Sequence, residues 1–191
     1  MEKDRLAAFT DGVIAVIITI MVLELKAPHD ASLGALMNTA PVFFSYVLSF
    51  IYVAIYWNNH HHFFMLVARV SGGVLWANLH LLFWLSLIPF ATSWAAEHDN
   101  APVPTALYGV MLLMAAIAWF VLQTIIIREQ GEGSALAQAL GRDIKGKVSP
   151  LFYLAGIALA FVDTRLSDAI YVLVALMWLV PDRRVEKAVQ Q

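Results

Sequence analysis

The sequence predicts an all-α membrane protein, a single domain over residues 1–191 that crosses the bilayer with six helices. Composition gives the first reason, because 61% of the residues are hydrophobic and 14% are charged, whereas soluble domains are about half apolar and about a quarter charged. The second reason is that apolar runs alternate with polar loops along the whole chain. The third is that Lys and Arg concentrate in every second loop, which is typical of multi-span proteins.

The first apolar run, from Leu6 to Leu25, has 20 residues, of which only Asp11 and Glu24 are charged. A helix of that length, at about 1.5 Å per residue, crosses a hydrocarbon layer of roughly 30 Å. The run is too long for the apolar region of a signal peptide, and residues 24–28 lack a small-x-small cleavage site, so we expect no cleavage here. A carboxylate within a span is costly, which marks Asp11 as a functional or structural site.

Five further apolar runs are expected to form the other spans. The last two are shorter than about 20 residues, so we expect them to form a tight hairpin packed against the longer helices. Polar loops separate the runs, and the loop at 128–147 is expected to contain a short helix near residues 134–140. The five runs cover about 41–64, 74–94, 105–127, 148–162 and 166–180.

The distribution of basic residues predicts the orientation. With six spans, one side of the membrane receives ten Lys and Arg residues, and the other side receives only Lys26 and Arg165. Because cytoplasmic loops carry the excess of Lys and Arg, both termini are expected in the cytoplasm of a protein of the plasma or inner membrane. The ten residues are Lys3, Arg5, Arg69, Arg128, Arg142, Lys145, Lys147, Arg183, Arg184 and Lys187.

The first span has two distinct sides. Placing Val16 at zero and turning about 100° per residue puts a mostly apolar set within about 60° of that direction. Asp11 lies on another side of the helix, near Ala15 and Ile18. By periodicity alone, the apolar side indicates a packing seam between helices rather than a pore. The set consists of Arg5, Phe9, Gly12, Thr19, Ile20 and Leu23.

The start of this span resembles a family signature. Arg5-x-x-x-Phe9-Thr10-Asp11 is similar to Arg-x-x-x-Phe-Ser-Asp, which opens the first helix in the prokaryotic form of the transmembrane protein 175 family. Thr10 stands where the family usually has Ser, and it keeps the hydroxyl group. Members of the family are potassium-selective leak channels. The resemblance therefore implies a homotetramer in a lipid bilayer, with K⁺ as the permeant ion and no cofactor.

The resemblance also implies that the first helices of four subunits line the pore. In the family, bulky apolar side chains face the pore at positions that match Val16, Ile20 and Leu23, and Thr19 is the matching hydroxyl. The Thr-Val-Gly-Tyr-Gly loop of the better-known potassium channels does not occur in this chain. Selectivity would then come from an apolar constriction that forces partial dehydration, with Thr19 oxygens as substitute ligands. We expect this mechanism to favour potassium over sodium only modestly.

A hydrogen-bond network is expected to hold the motif on the first helix, as it does in the family. An unsatisfied amide or imidazole in hydrocarbon costs a few kcal/mol, so the polar side chains within spans need partners. His80 could instead be a satisfied packing residue, and Asp11 could be favoured only by the amide groups at the helix start. The expected network consists of Arg5, Phe9, Thr10, Asp11, Trp57, Asn78 and His80.

The histidine run 60–62 does not predict a metal site. Adjacent helical residues point about 100° apart, so three consecutive histidines cannot chelate one ion. We expect a polar cap or interhelical hydrogen bonds there instead.

Other functional classes are less well supported. The sequence has no Gly-x-Ser-x-Gly and no paired carboxylates within spans, so we do not expect an enzyme. It has no cysteine, which excludes disulfides and thiolate metal sites. Its net charge of −2 and the lack of a basic face predict no nucleic-acid partner. A small secondary transporter is the alternative to a channel, but it would need a charged site at mid-membrane, where this chain is nearly uncharged.

Overall fold

The computed structural model describes residues 2–131, 133–141 and 143–179 of the 191-residue chain. Every regular element in these ranges is an α-helix. Arg142 and the basic residues beyond 180, on which the charge count partly depends, lie outside the described residues. The helices are α1 Lys3–Leu23, α2 Leu33–Asn38, α3 Ala40–Met65, α4 Gly72–Ser86, α5 Ile88–Glu97, α6 Pro102–Gln130, α7 Ala135–Leu140, α8 Ile144–Leu159 and α9 Thr164–Leu179.

Four helical stretches in the described residues are long and apolar enough to cross a membrane: α1, α3, α4 together with α5, and α6. Helices α8 and α9 have 16 residues each, which corresponds to roughly 24 Å of helix against a hydrocarbon layer of about 30 Å. They form a hairpin that packs on α6 and α3. The all-helical fold is confirmed, and the count of six spans stays a prediction.

The expected third span is divided in two at Leu87, between α4 and α5. Pro89 occupies the second position of α5, and because proline has no N–H it cannot continue the hydrogen-bond ladder of α4. The polar loop between the first two apolar runs contains α2, whose start is capped by the Ser32 hydroxyl, 3.2 Å from the Ala35 amide. The short helix expected near residues 134–140 is α7.

The long helices alternate in direction, and their ends are tied by polar contacts. At one end of the bundle, the Lys3 ammonium lies 3.5 Å from the Met65 carbonyl, between α1 and α3. At the other end, Lys26 pairs with Glu97 at 2.6 Å, and this hydrogen bond and the attraction between the charges raise the pKa of Lys26. The start of α1 therefore lies at one end of the bundle, near the end of α3, and the loop that follows α1 lies at the other end, near the end of α5.

The core lies where α1, α3, α4, α6 and α9 meet. One close contact in it depends on two glycines, because Tyr171 of α9 fits between Gly109 of α6 and Gly156 of α8. A Cβ on Gly109 would lie 2.7 Å from Tyr171 Cζ, and one on Gly156 would lie 2.5 Å from Tyr171 Cε1. The largest fully buried side chains include Tyr52, Phe63, Leu81, Leu85, Ile88, Leu112 and Leu122.

Candidate functional site

Helix α1 presents one face to the bundle and another to the outside of the subunit. The outward face includes Val16, Ile20 and Leu23, whose exposed fractions are 55%, 45% and 78%. These are the side chains that the family resemblance assigns to a pore. Periodicity alone indicated that this outward face packs against other helices. Within the subunit, α1 packs through a different face instead. The buried face consists of Leu6, Thr10, Ile14, Ile17 and Met21.

Thr19 adds one hydroxyl to this outward apolar face. Its Oγ1 lies 2.8 Å from the Val16 carbonyl and 3.0 Å from the Ala15 carbonyl, and it donates to them. Because the hydrogen is directed into the helix, the lone pairs of the oxygen are left as acceptors on the outward side. On the same face, a Cβ on Gly12 would meet no described heavy atom within 4 Å.

The opposite face of α1 is held by a buried chain of three polar side chains. Asn78 Nδ2 of α4 donates to Thr10 Oγ1 of α1 at 2.8 Å, and His60 Nε2 of α3 lies 2.9 Å from Asn78 Oδ1. All three residues are at most 1% exposed. Since the amide oxygen can only accept, His60 Nε2 must carry the hydrogen. These two hydrogen bonds therefore join α1, α3 and α4 through the Asn78 amide.

A second contact between α1 and α3 involves the charged residue of the motif. Trp57 Nε1 donates to Asp11 Oδ1 at 2.9 Å. The indole ring also stacks on His61, with ring centroids 6.2 Å apart. Both partners are partly exposed. Asp11 thus has a specific partner on α3, beyond the amide groups at the start of its own helix.

Three of the expected network residues lie elsewhere. His80 Nε2 accepts from Trp84 Nε1 at 2.9 Å within α4, because His80 and Asn78 are two positions apart and point in nearly opposite directions. Arg5 and Phe9 are exposed, and Arg5 forms no hydrogen bond with any described residue, since it lies on the outward side of α1. The packing interpretation of His80 agrees with its position on α4.

His60 is the residue of the network that the sequence did not single out. It is one of three consecutive histidines, and each points in its own direction. The available signal was its spacing of three residues from Trp57, which places both side chains on the same side of α3. The ring of His60 also stacks on Phe64, with centroids 4.1 Å apart. Interhelical hydrogen bonding, one of the two roles expected for the run, is therefore the role of His60.

Several known proteins are similar to this chain in sequence. The profile of the family described as "Endosomal/lysosomal potassium channel TMEM175" matches residues 5–89. A potassium channel of Chryseobacterium sp. (strain P1-3) is 52% identical over 191 residues, which cover all of both chains. A potassium channel of Streptomyces collinus is 32% identical, over 93% of this chain and 91% of that protein.

A solved structure has the same fold. The crystal structure of a lysosomal potassium-selective channel TMEM175 homologue from Chamaesiphon minutus superposes with a TM-score of 0.83 at 29% identity. The match covers 95% of this chain and 98% of that chain. The human endosomal/lysosomal proton channel TMEM175 is more distant, at 29% identity over 53% of this chain and 23% of that protein. The chain therefore belongs to the TMEM175 family.

Proposed function

We propose that this protein is a potassium-selective leak channel, a homotetramer in which the outward faces of four α1 helices line the pore. The observation that carries the proposal is the exposed apolar face with Val16, Ile20 and Leu23, opposite the face that packs in the bundle. A subunit in lipid alone would have no need of the Thr19 hydroxyl on that face. The relatives named as potassium channels support the same function.

The spacing of the face explains how such a pore could restrict ions. Val16, Ile20 and Leu23 are separated by four and three residues, so their rings would stack at intervals of about 6 and 4.5 Å along the axis. An ion in this passage would lose part of its hydration shell to apolar walls. Potassium loses water more readily than the smaller sodium ion. Four Thr19 oxygens between the apolar rings would replace some of that water.

The buried network would set which face of α1 reaches the pore. Turning α1 by one residue moves every side chain by about 100°, which would break the Thr10–Asn78 bond and bury a different set of side chains. Asp11 and Trp57 would add a second restraint at the same end of α1. These residues would therefore act as structural supports and would not contact the permeant ion.

Ion flux into liposomes tests the pore assignment. Ile20→Asn or Leu23→Asn should raise both potassium and sodium flux, because an amide in an apolar ring lowers the cost of dehydration. Thr19→Ala should lower the preference for potassium without blocking conduction, since it removes only an acceptor oxygen. Fluxes are compared at equal protein and equal oligomer content.

Leu154→Asn is the matched control, because Leu154 is a similarly exposed apolar residue on α8. It should leave flux and selectivity unchanged. If the three α1 variants behave like this control, α1 does not line the pore.

No observation favours the secondary-transporter alternative. The relatives are named as channels, which are not enzymes.

A further inference from the structure

A second buried polar cluster lies away from the Thr10 network, at the end of the bundle that carries Lys26 and Glu97. A cavity there, with a water-accessible volume of about 30 Å³, is lined by side chains from α3, α5, α6 and α9. Four of them carry polar groups that concern the inference: Ser49, Thr92, Tyr108 and Asp168. They come from distant parts of the sequence and meet only in the fold.

Three of these groups are hydroxyls bonded to one another. Ser49 Oγ lies 2.7 Å from Thr92 Oγ1 and 3.0 Å from Tyr108 Oη. Thr92 Oγ1 also donates to the Ile88 carbonyl at 2.8 Å. Each hydroxyl has one hydrogen and two lone pairs. Ser49 donates its hydrogen to Tyr108 and Thr92 donates its hydrogen to Ile88, so the contact between Ser49 and Thr92 shares one of these two hydrogens. Each of the three oxygens keeps at least one lone pair.

The fourth group is a carboxylate without a counter-charge. Asp168 is half-buried in the first turns of α9, and it forms no ion pair or hydrogen bond with any described residue. No Lys, Arg or His is among the described residues that line the cavity, and Arg165, one turn earlier, is exposed. A carboxylate that is partly removed from water and has no partner is less favourable than one in water. A positive species in the cavity would remove that penalty.

We propose that this cavity binds a monovalent alkali cation, sodium or potassium, separate from the pore on α1. The atoms of these four side chains that could coordinate an ion are all oxygens, which hard cations prefer. A single carboxylate balances one positive charge, whereas divalent ions usually take several carboxylates. The volume suffices for one ion with about one or two waters. The bound ion would join α3, α5, α6 and α9, and it would stabilise the subunit independently of conduction.

Thermal unfolding of the purified full-length protein in detergent tests the site. The melting temperature is measured in sodium, potassium or N-methyl-D-glucamine chloride at equal ionic strength and constant pH. The wild type should melt several degrees higher in one or both alkali salts, with a saturable dependence on concentration. Asp168→Asn should abolish this shift, and Tyr108→Phe should raise the half-saturating concentration several-fold.

Two controls separate this site from other causes. Asp99→Asn removes the same charge at the same end of the bundle, at an exposed residue with φ of 50°, a conformation that Asn tolerates well, and it should keep the shift. Thr19→Ala should also keep it, which distinguishes the site from ion binding in the pore. Equal melting in all three salts, or an undiminished shift in Asp168→Asn, would overturn the proposal.

If Asp168→Asn fails to fold, Ser49→Ala provides the second variant. It removes one oxygen donor without changing charge, and it should weaken the alkali-dependent shift. A full shift at wild-type salt concentrations in both Ser49→Ala and Tyr108→Phe contradicts the site. The readout uses no ion flux, so it stands or falls separately from the pore on α1.

Discussion

At the scale of single residues, the position of α1 depends on whether buried polar atoms find partners. The sequence indicated that Thr10, Asp11, Trp57 and Asn78 would need each other, and the structure brings them together in two contacts. It named His80 among the partners and not His60, which is the histidine that bonds to Asn78. That choice depends on how α3 and α4 are rotated about their axes, which local sequence does not determine. Both histidines lie in apolar runs, so the composition of the neighbouring sequence did not distinguish between them.

The bond between Thr10 and Asn78 can be tested by replacing the Thr10 hydroxyl group. Thr10→Val keeps the shape of the side chain but leaves the buried Asn78 amide without its acceptor, which should cost about 1–3 kcal/mol of unfolding free energy. Thr10→Ser keeps the hydroxyl that the family usually has, and it should cost about 1 kcal/mol or less. Denaturant unfolding in detergent measures both changes.

Thr124→Val is the control for this pair of variants. The Thr124 hydroxyl donates only to the Phe120 carbonyl of its own helix, at 2.8 Å, so its loss should change stability little. If Thr10→Val is as stable as this control, the Thr10–Asn78 bond does not hold α1 in place.

At the scale of helices, the apolar runs located the long elements well. The run at 41–64 became α3, and the run at 105–127 became the central part of α6. The break between α4 and α5 was missed because Pro89 lies inside an apolar run, and proline is tolerated within membrane helices when neighbours satisfy the freed backbone groups. The cluster of Ser49, Thr92 and Tyr108 was missed for another reason. Its members are 43 and 59 residues apart in the chain, and only helix packing brings them together.

The packing of α9 on α6 gives a prediction at this scale. Gly109→Ala would place a methyl group against the Tyr171 ring, so it should destabilise the subunit by about 1–3 kcal/mol. The loss should be smaller than additive when Tyr171→Leu is combined with it, because the smaller side chain makes room. Denaturant unfolding measures the effect.

Gly72→Ala serves as the control, because a Cβ there would meet no described heavy atom within 4 Å. It should leave stability unchanged or slightly raised. Equal stability of Gly109→Ala and Gly72→Ala would mean that the contact with Tyr171 does not determine how α9 packs.

At the scale of the whole molecule, the number of spans depends on the hairpin of α8 and α9. Each helix is shorter than a usual span, yet Asp168 near the start of α9 shares a cavity with Asn100, which follows α5. The hairpin therefore reaches the end of the bundle where the α5–α6 loop lies. This position supports six spans, because a hairpin that entered only partway would turn before that end. Neighbouring helices and a locally thinner bilayer can accommodate short spans.

Accessibility of single cysteines tests this topology, since the chain has no cysteine of its own. With six spans and both termini in the cytoplasm, Asp30→Cys and Val162→Cys should react with a membrane-impermeant maleimide from outside intact cells. Gly133→Cys, in the loop after α6, should react only after the membrane is opened. Asp30 and Val162 are exposed in the subunit, so lack of reaction would reflect their side of the membrane. Complete reaction in detergent is the control.

If Asp30→Cys reacts from outside and Val162→Cys does not, the hairpin of α8 and α9 does not cross the membrane and the channel has four spans. Reaction of Gly133→Cys from outside would invert the orientation that the basic residues predict.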